Sequence, residues 1–201
     1  MTAVRLFDGD MKVGVLALQC DFEAHARVLA RLGVDALYVK RREQFGEIDA
    51  LILPGGESTT FLKFLESDGF AEALARLPAE GKPLFGTCAG AILLAKEVLS
   101  PPQQSLGLVD VTIERNAYGR QLQSGIRRGR ATLNGGEKEL EMVFIRAPII
   151  RRVGKDARVV ATCDRLPVAV EQGRCLIATF HPELTSDTTL HDYFLQQVAK
   201  R

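Results

Sequence analysis

The chain has 201 residues, 46% hydrophobic and 25% charged, with a formal net charge of +1. Length and composition fit one globular domain of ordinary to large size. The near-neutral balance excludes a global field that would draw the chain to nucleic acid or an anionic membrane.

No apolar run reaches the ~18 residues of a membrane span, and the first residues lack the apolar core of a signal peptide. Four cysteines, Cys20, Cys88, Cys163 and Cys175, have no Cys-x-x-Cys spacing, and the three histidines do not cluster near them. That pattern argues against a metal site and for a reduced, cytoplasmic setting. Lys40-Arg41-Arg42, Arg127-Arg128-Gly129-Arg130 and Arg151-Arg152 are short basic clusters beside turn-like sequence. They read as solvated loops or the rim of a partner surface.

Residues 1–10 read as a frayed extension, because Met11 opens directly on a strand, and residues 11–201 read as one domain. The apolar run 13–18 suits a parallel strand buried on both faces. A helix follows, with Asp21 as N-cap, an apolar stripe of Phe22, Ala26, Leu29 and Leu32 or Ala30, and Gly33 as the residue that closes it. His25 falls near its start and reads as a surface or half-buried histidine. Strands are expected at 36–39 and 50–53. The second ends in Pro54-Gly55-Gly56-Glu57-Ser58-Thr59-Thr60, where Ser58 could cap a helix. A further helix at about 70–77 leads to Gly81. Strand and helix alternate through this half, which predicts an α/β domain with a parallel sheet.

The stretch 82–91 holds Gly86-Thr87-Cys88-Ala89-Gly90 between an apolar strand and the helix former Ala91-Ile92-Leu93-Leu94-Ala95-Lys96. Strand, sharp turn with a central nucleophile, then helix is the geometry of a nucleophile elbow, with Cys in place of Ser. A helix N-terminus favours a thiolate. A buried small hydrophobe is the plainer reading of the same cysteine. Beyond residue 107 the chain becomes β-rich, with short runs at 107–114, 130–133, 140–145, 158–163, 167–171 and 175–180. Asn134-Gly135-Gly136 and Glu171-Gln172-Gly173-Arg174 read as hairpin turns. The sheet is therefore expected to continue with antiparallel additions, and the chain to end in a helix from 186 or 187 to 199.

A cysteine nucleophile needs a base and a group to orient it. His181 ends the apolar run 175–180, and Glu183 follows two residues later. Extended backbone would point both the same way, and Pro182 biases His181 away from the helical region. An ordinary strand-to-loop turn is the alternative for His-Pro-Glu alone. Cys88, His181 and the glycine-rich 54–58 loop would all lie at strand C-terminal ends, where open α/β sheets bind ligands. The Gly56 and Ala89 N–H groups could hold a developing oxyanion. The Gly-Lys-Ser/Thr ending of a phosphate loop is missing.

Together these pieces resemble the class I, triad-type glutamine amidotransferases. Leu16-Ala17-Leu18-Gln19, Leu53-Pro54-Gly55-Gly56-Glu57-Ser58-Thr59-Thr60, the Cys88 elbow, Arg115-Asn116-Ala117-Tyr118-Gly119-Arg120-Gln121, Phe144-Ile145-Arg146-Ala147-Pro148 and Phe180-His181-Pro182-Glu183-Leu184-Thr185 narrow the resemblance. They are similar, in order, to the PdxT/SNO family, the glutaminase subunits of pyridoxal 5′-phosphate synthase. The resemblance implies a flavodoxin-like three-layer α/β sandwich. It implies a Cys88 nucleophile, a His181 acid/base and a Glu183 orienter, with glutamine contacts at Gly56, Glu57, Ser58, Arg120, Ile145 and Arg146. It implies hydrolysis of L-glutamine to glutamate and ammonia, the ammonia passing to a PdxS-type synthase subunit, with no metal or organic cofactor and no nucleic-acid or membrane partner. Cys20 stands where the family usually has Gly, which bears on the mobility of that loop. The competing readings are an amidotransferase subunit for another acceptor, such as imidazole glycerol phosphate, a catalytically silent module of the same fold, and a general cysteine peptidase. The 116–121 segment opposes the first, the intact triad the second, and the lack of any sign of a peptide groove the third.

Overall fold

The computed structural model describes residues 11–18, 22–65, 69–115 and 124–198. Its first half alternates strand and helix: β1 (Val13–Leu16), α1 (Phe22–Arg31), β2 (Ala36–Val39), β3 (Ala50–Leu53), α2 (Ser58–Leu65), α3 (Phe70–Arg76), β4 (Leu84–Thr87) and α4 (Ala89–Leu94). A 3-10 turn, Arg42–Glu47, joins β2 to β3. Helix α1 stops as its sequence dictates. The Gly33 and Val34 N–H groups return to the Ala30 and Leu29 carbonyls, closing a Schellman motif. The second half is β5 (Ala95–Leu99), β6 (Val109–Glu114), β7 (Gly125–Leu133), β8 (Gly136–Phe144), β9 (Ile149–Val153), β10 (Arg158–Cys163), β11 (Leu166–Gln172) and β12 (Cys175–Ala178). A 3-10 turn, Pro182–Leu184, and α5 (Thr189–Tyr193) follow, and α5 runs on into a π-type turn, Phe194–Val198.

Nine strands form one sheet in the order β2-β1-β3-β4-β12-β11-β10-β7-β8. The segment β2 to β12 is parallel, and β11, β10, β7 and β8 add antiparallel strands. The expected mixed sheet is present. A separate three-stranded sheet, β5-β6-β9, was not expected. Residues 95–96 were read as helix, yet β5 starts at Ala95 and pairs in parallel with β6. Tertiary pairing overrides the helix propensity of Ala-Lys-Glu.

Period-two alternation divides the core between the two sheet faces. On β3, Ala50 and Ile52 face one cluster, while Leu51 and Leu53 face the other. On β12, Leu176 and Ala178 join the first, and Cys175 and Ile177 the second. The first face is covered by α1 through Val28 and Leu29 and by the C-terminal helical segment through Leu190, Phe194 and Leu195. The second is covered by Phe61, Leu74 and Leu93 of α2, α3 and α4, and by Val111 and Ile150 of the small sheet. Each such side chain, fully buried, contributes about 1.5–3 kcal/mol. Of the expected α1 stripe, Leu29 and Leu32 are buried and Phe22 packs against the core, Ala30 is exposed, and Ala24, His25 and Val28 widen the buried face.

The basic clusters at 127–130 and 151–152 lie on strands β7 and β9 rather than on loops. Arg127 pairs with Asp164, Arg128 with Glu139, Arg151 with Glu114 and Arg152 with Asp110. Among the described residues no helix is long and apolar enough to cross a membrane. Residues 1–10, Gln19, Cys20, Asp21 and the 116–123 segment, with Arg120, lie outside the described residues.

Candidate active site

Three neighbouring parallel strands deliver the candidate residues to one sheet edge. The register sets Leu53 beside Gly86 and Thr87 beside Ala178. The chain leaving β3 becomes the 54–57 loop, that leaving β4 becomes Cys88, and that leaving β12 reaches His181 three residues on.

Cys88 adopts φ 48° and ψ −102°, an uncommon conformation for a residue with a Cβ. Strain of this kind costs about 1–3 kcal/mol and is held by its surroundings. Here the Cys88 N–H donates to the Ala178 carbonyl at 2.8 Å, and the Cys88 carbonyl accepts the Ile92 N–H at 3.2 Å. The flanking glycines permit close approach. A Cβ on Gly86 would lie 2.6 Å from the Gly90 carbonyl, and one on Gly90 would run into the Leu53 carbonyl oxygen. A Cβ on Gly55 would likewise collide with the His181 ring, so Gly55 lets the 54–57 loop lie against the imidazole.

His181 is anchored by its N–H, which donates to the Val143 carbonyl at 2.8 Å. Its Nδ1 lies 2.7 Å from Glu183 Oε1. The two side chains meet by a route different from the expected extended alternation. Pro182–Leu184 is a 3-10 turn, and the Leu184 N–H returns to the His181 carbonyl at 3.3 Å, which folds Glu183 back onto the ring. Cys88, His181 and Glu183 are 8%, 3% and 5% exposed, so the line of three is nearly dry. Burial works to lower the His181 pKa. The hydrogen bonds to Cys88 and Glu183, with the charges behind them, outweigh burial and raise it to about 10.

A small cleft opens over Cys88. Gly56, Glu57, Ser58, Ile145 and Arg146 all line it, as does Arg115. Sequence alone assigns Arg115 no role. Its side chain is 11% exposed and its guanidinium lies 3.6 Å from Glu57 Oε1. Arg115 directly follows β6 and faces the cleft. Ser58 does not cap α2. Glu57 holds the cap position, its carbonyl accepting the Phe61 N–H at 3.2 Å and its carboxylate the Thr59 hydroxyl at 3.0 Å. The Ser58 hydroxyl donates to Gln103 Oε1 at 2.9 Å. Two guanidinium groups and one carboxylate around a cysteine form a complementary surface for a small zwitterion.

His25 requires a correction. It is not a surface or half-buried side chain but fully buried, against Thr87, Glu183 and His191. Burial, then the neighbouring His191 and His181, push its pKa well below the usual histidine value. His191 is pushed down to about 3 by burial and by Arg31. Cys175 is pushed up to about 12 by burial alone, which leaves an inert thiol in the core.

Comparison with known proteins identifies the family. A family model described as the SNO glutamine amidotransferase family matches residues 15–200. The pyridoxal 5′-phosphate synthase subunit PdxT of Koribacter versatilis is 54% identical over 188 residues, which is 94% of this chain and 96% of the relative. PdxT of Solibacter usitatus is 52% identical, covering 93% of this chain and 99% of the relative. A crystal structure of a glutamine amidotransferase superposes with a TM-score of 0.86 at 46% identity, covering 94% of this chain and 99% of the other. A putative GMP synthase subunit from Thermoplasma acidophilum shares the fold at 16% identity, with a TM-score of 0.71. With nearly every described element inside these matches, the chain belongs to the SNO glutamine amidotransferase family.

Proposed function

We propose that the chain hydrolyses L-glutamine to L-glutamate and ammonia and supplies that ammonia to a PdxS-type synthase subunit making pyridoxal 5′-phosphate. The carrying observation is the dry line from Cys88 through His181 to Glu183 at the base of a cleft lined by Glu57, Arg115 and Arg146. The PdxT name of the relatives supports this acceptor over imidazole glycerol phosphate. An intact triad speaks against a silent module. Residues 11–201 are read as one amidotransferase domain working in the cytoplasm, a setting that suits buried free thiols such as Cys163 and Cys175.

In this mechanism the Cys88 sulfur, as thiolate, attacks the side-chain amide carbon of glutamine, and the N–H groups of Gly56 and Ala89 receive the oxyanion. His181, holding a proton at its raised pKa, delivers it to the amide nitrogen; the C–N bond breaks and ammonia leaves. Water then attacks the glutamyl thioester with His181 as base, the C–S bond breaks, and glutamate departs. Glu183 holds the His181 Nδ1–H and balances the imidazolium charge. The substrate carboxylate and ammonium are held by Arg115, Arg146 and Glu57. Ser58 and Ile145 complete the contacts, with Arg120 retained as the resemblance implies.

Ammonia release, measured with and without a PdxS-type subunit, tests the reading. The complex should turn over glutamine, the isolated chain should do so poorly, and Cys88→Ala should abolish release while still binding the synthase subunit. Undiminished release by Cys88→Ala would sink the assignment.

A further inference from the structure

Glu183 uses only one of its carboxylate oxygens on His181. Its Oε1 meets His181 Nδ1 at 2.7 Å. Its Oε2 is buried and has no hydrogen bond of ordinary length among the described residues. His25 Nε2 lies 3.5 Å from it. The same nitrogen lies 3.2 Å from the hydroxyl of Thr87, the residue before Cys88. The other ring nitrogen, Nδ1, lies 2.9 Å from His191 Nε2. His25, Thr87 and His191 are all fully buried. A side chain on α1 thus touches both the strand end that carries the nucleophile and the carboxylate that orients the base.

The contacts select one tautomer. With the proton on His25 Nε2, that N–H donates to Thr87 Oγ1 and presents its positive edge to Glu183 Oε2, 3.5 Å from the same nitrogen, and Nδ1 accepts from the His191 Nε2–H. The remaining His191 nitrogen, Nδ1, has no partner among the described residues. As a bare lone pair it is the less costly orphan. In the opposite arrangement a His25 lone pair would face a buried carboxylate oxygen, and a His191 N–H would be buried without an acceptor. Both ends of the chain therefore choose the donor direction His191 to His25 to Glu183.

We propose that His25, its tautomer set by His191, is a positioning residue that holds the Glu183 carboxylate from behind and so aligns His181 on Cys88. Its burial keeps it neutral, as the lowered pKa of both histidines agrees. A neutral donor fixes the carboxylate without neutralising it; a cation there would compete with the His181 imidazolium for the same charge. The outer partner does for the triad what a second hydrogen-bonded layer does for a ligating histidine.

The inference rests on the glutaminase reading, and two measurements keep the two apart. In the complex with a PdxS-type subunit, His25→Asn keeps a polar group near the Nδ1 position but cannot reach Glu183. His25→Gln carries an amide N–H close to the Nε2 position. His25→Asn should lower kcat for ammonia release about tenfold, the scale of losing an outer orienting partner, with KM within about twofold of the parent. His25→Gln should restore most of kcat. Wild-type kcat in His25→Asn, equal losses in both variants, or a loss carried by KM would each overturn the proposal. Should His25→Asn fail to fold, His191→Leu decides: it frees the His25 tautomer and should lower kcat at constant KM, and an unchanged kcat would overturn the chain. Independently of turnover, the low-field proton resonance of His181 Nδ1–H should shift or broaden in His25→Asn and return in His25→Gln. A wild-type complex that releases no ammonia would remove the glutaminase reading, while an unmoved resonance would remove the role of His25.

Discussion

Glu183 is the residue on which the electrostatics of the site turn. Its hydrogen bond and charge are two of the influences that carry the His181 pKa up to about 10 against burial. Glu183→Gln keeps the shape and removes the charge. The His181 pKa should fall, followed by histidine NMR titration, and ammonia release should fall by about three to four powers of ten, the scale for a triad orienter that loses its charge. A variant with a parental rate would show that Glu183 is only packed beside the ring. Cys88, His181 and Glu183 were legible in the sequence because elbow and strand end each carry a local signature. His25 was not. Helical spacing places it on α1, but its partners are Thr87, Glu183 and His191, and His191 lies 166 positions away. No local pattern says what a lone histidine meets across a sheet.

Among the elements, the β4–α4 elbow is the most tightly specified. Gly90 faces the Leu53 carbonyl, which is itself fixed in β3. Gly90→Ala therefore drives a Cβ into the Leu53 backbone, with no flexible side chain to yield. It should destabilise the fold by about 1–3 kcal/mol, read as a lower urea midpoint at an unchanged slope, and lower ammonia release as Cys88 shifts. An unchanged midpoint would mean that β3 moves freely. The legibility of other elements follows the same physics. The Asn134-Gly135 turn was readable because both residues take positive φ, at 53° and 75°, as a two-residue hairpin demands. Its counterpart between β10 and β11 was not read, because Asp164 and Arg165 adopt positive φ, at 50° and 68°, without any glycine. Strand β9 escaped because Arg151 and Arg152 interrupt its apolar run, and the partners that accommodate them, Glu114 and Asp110, lie on β6.

At the scale of the whole molecule, the site sits where core and chemistry share the same atoms, so folding stability should report on it. His25 and His191 are fully buried, with pKa values held below the unfolded value of about 6.5. Below that pH the unfolded chain binds protons that the folded chain refuses. The stability of these neutral rings is thus present above pH 6.5 and is lost as pH falls towards about 3 for His191. Each histidine steepens the loss by up to about 1.4 kcal/mol per pH unit. His181 acts with the opposite sign. Its folded pKa is raised to about 10, so its contribution is present below pH 6.5 and is lost as pH rises towards 10. Stability should therefore peak near neutrality and fall on both sides. Urea midpoints measured from pH 6 to 5 follow the acid limb, since His181 is largely protonated in both states below about pH 6 and ordinary carboxylates titrate lower. The wild-type midpoint should drop across that window, and His191→Leu, with one refused proton fewer, should drop about half as steeply. A flat profile would mean that the pair takes up a proton inside the fold, placing a positive charge beside Glu183 and weakening its hold on His181.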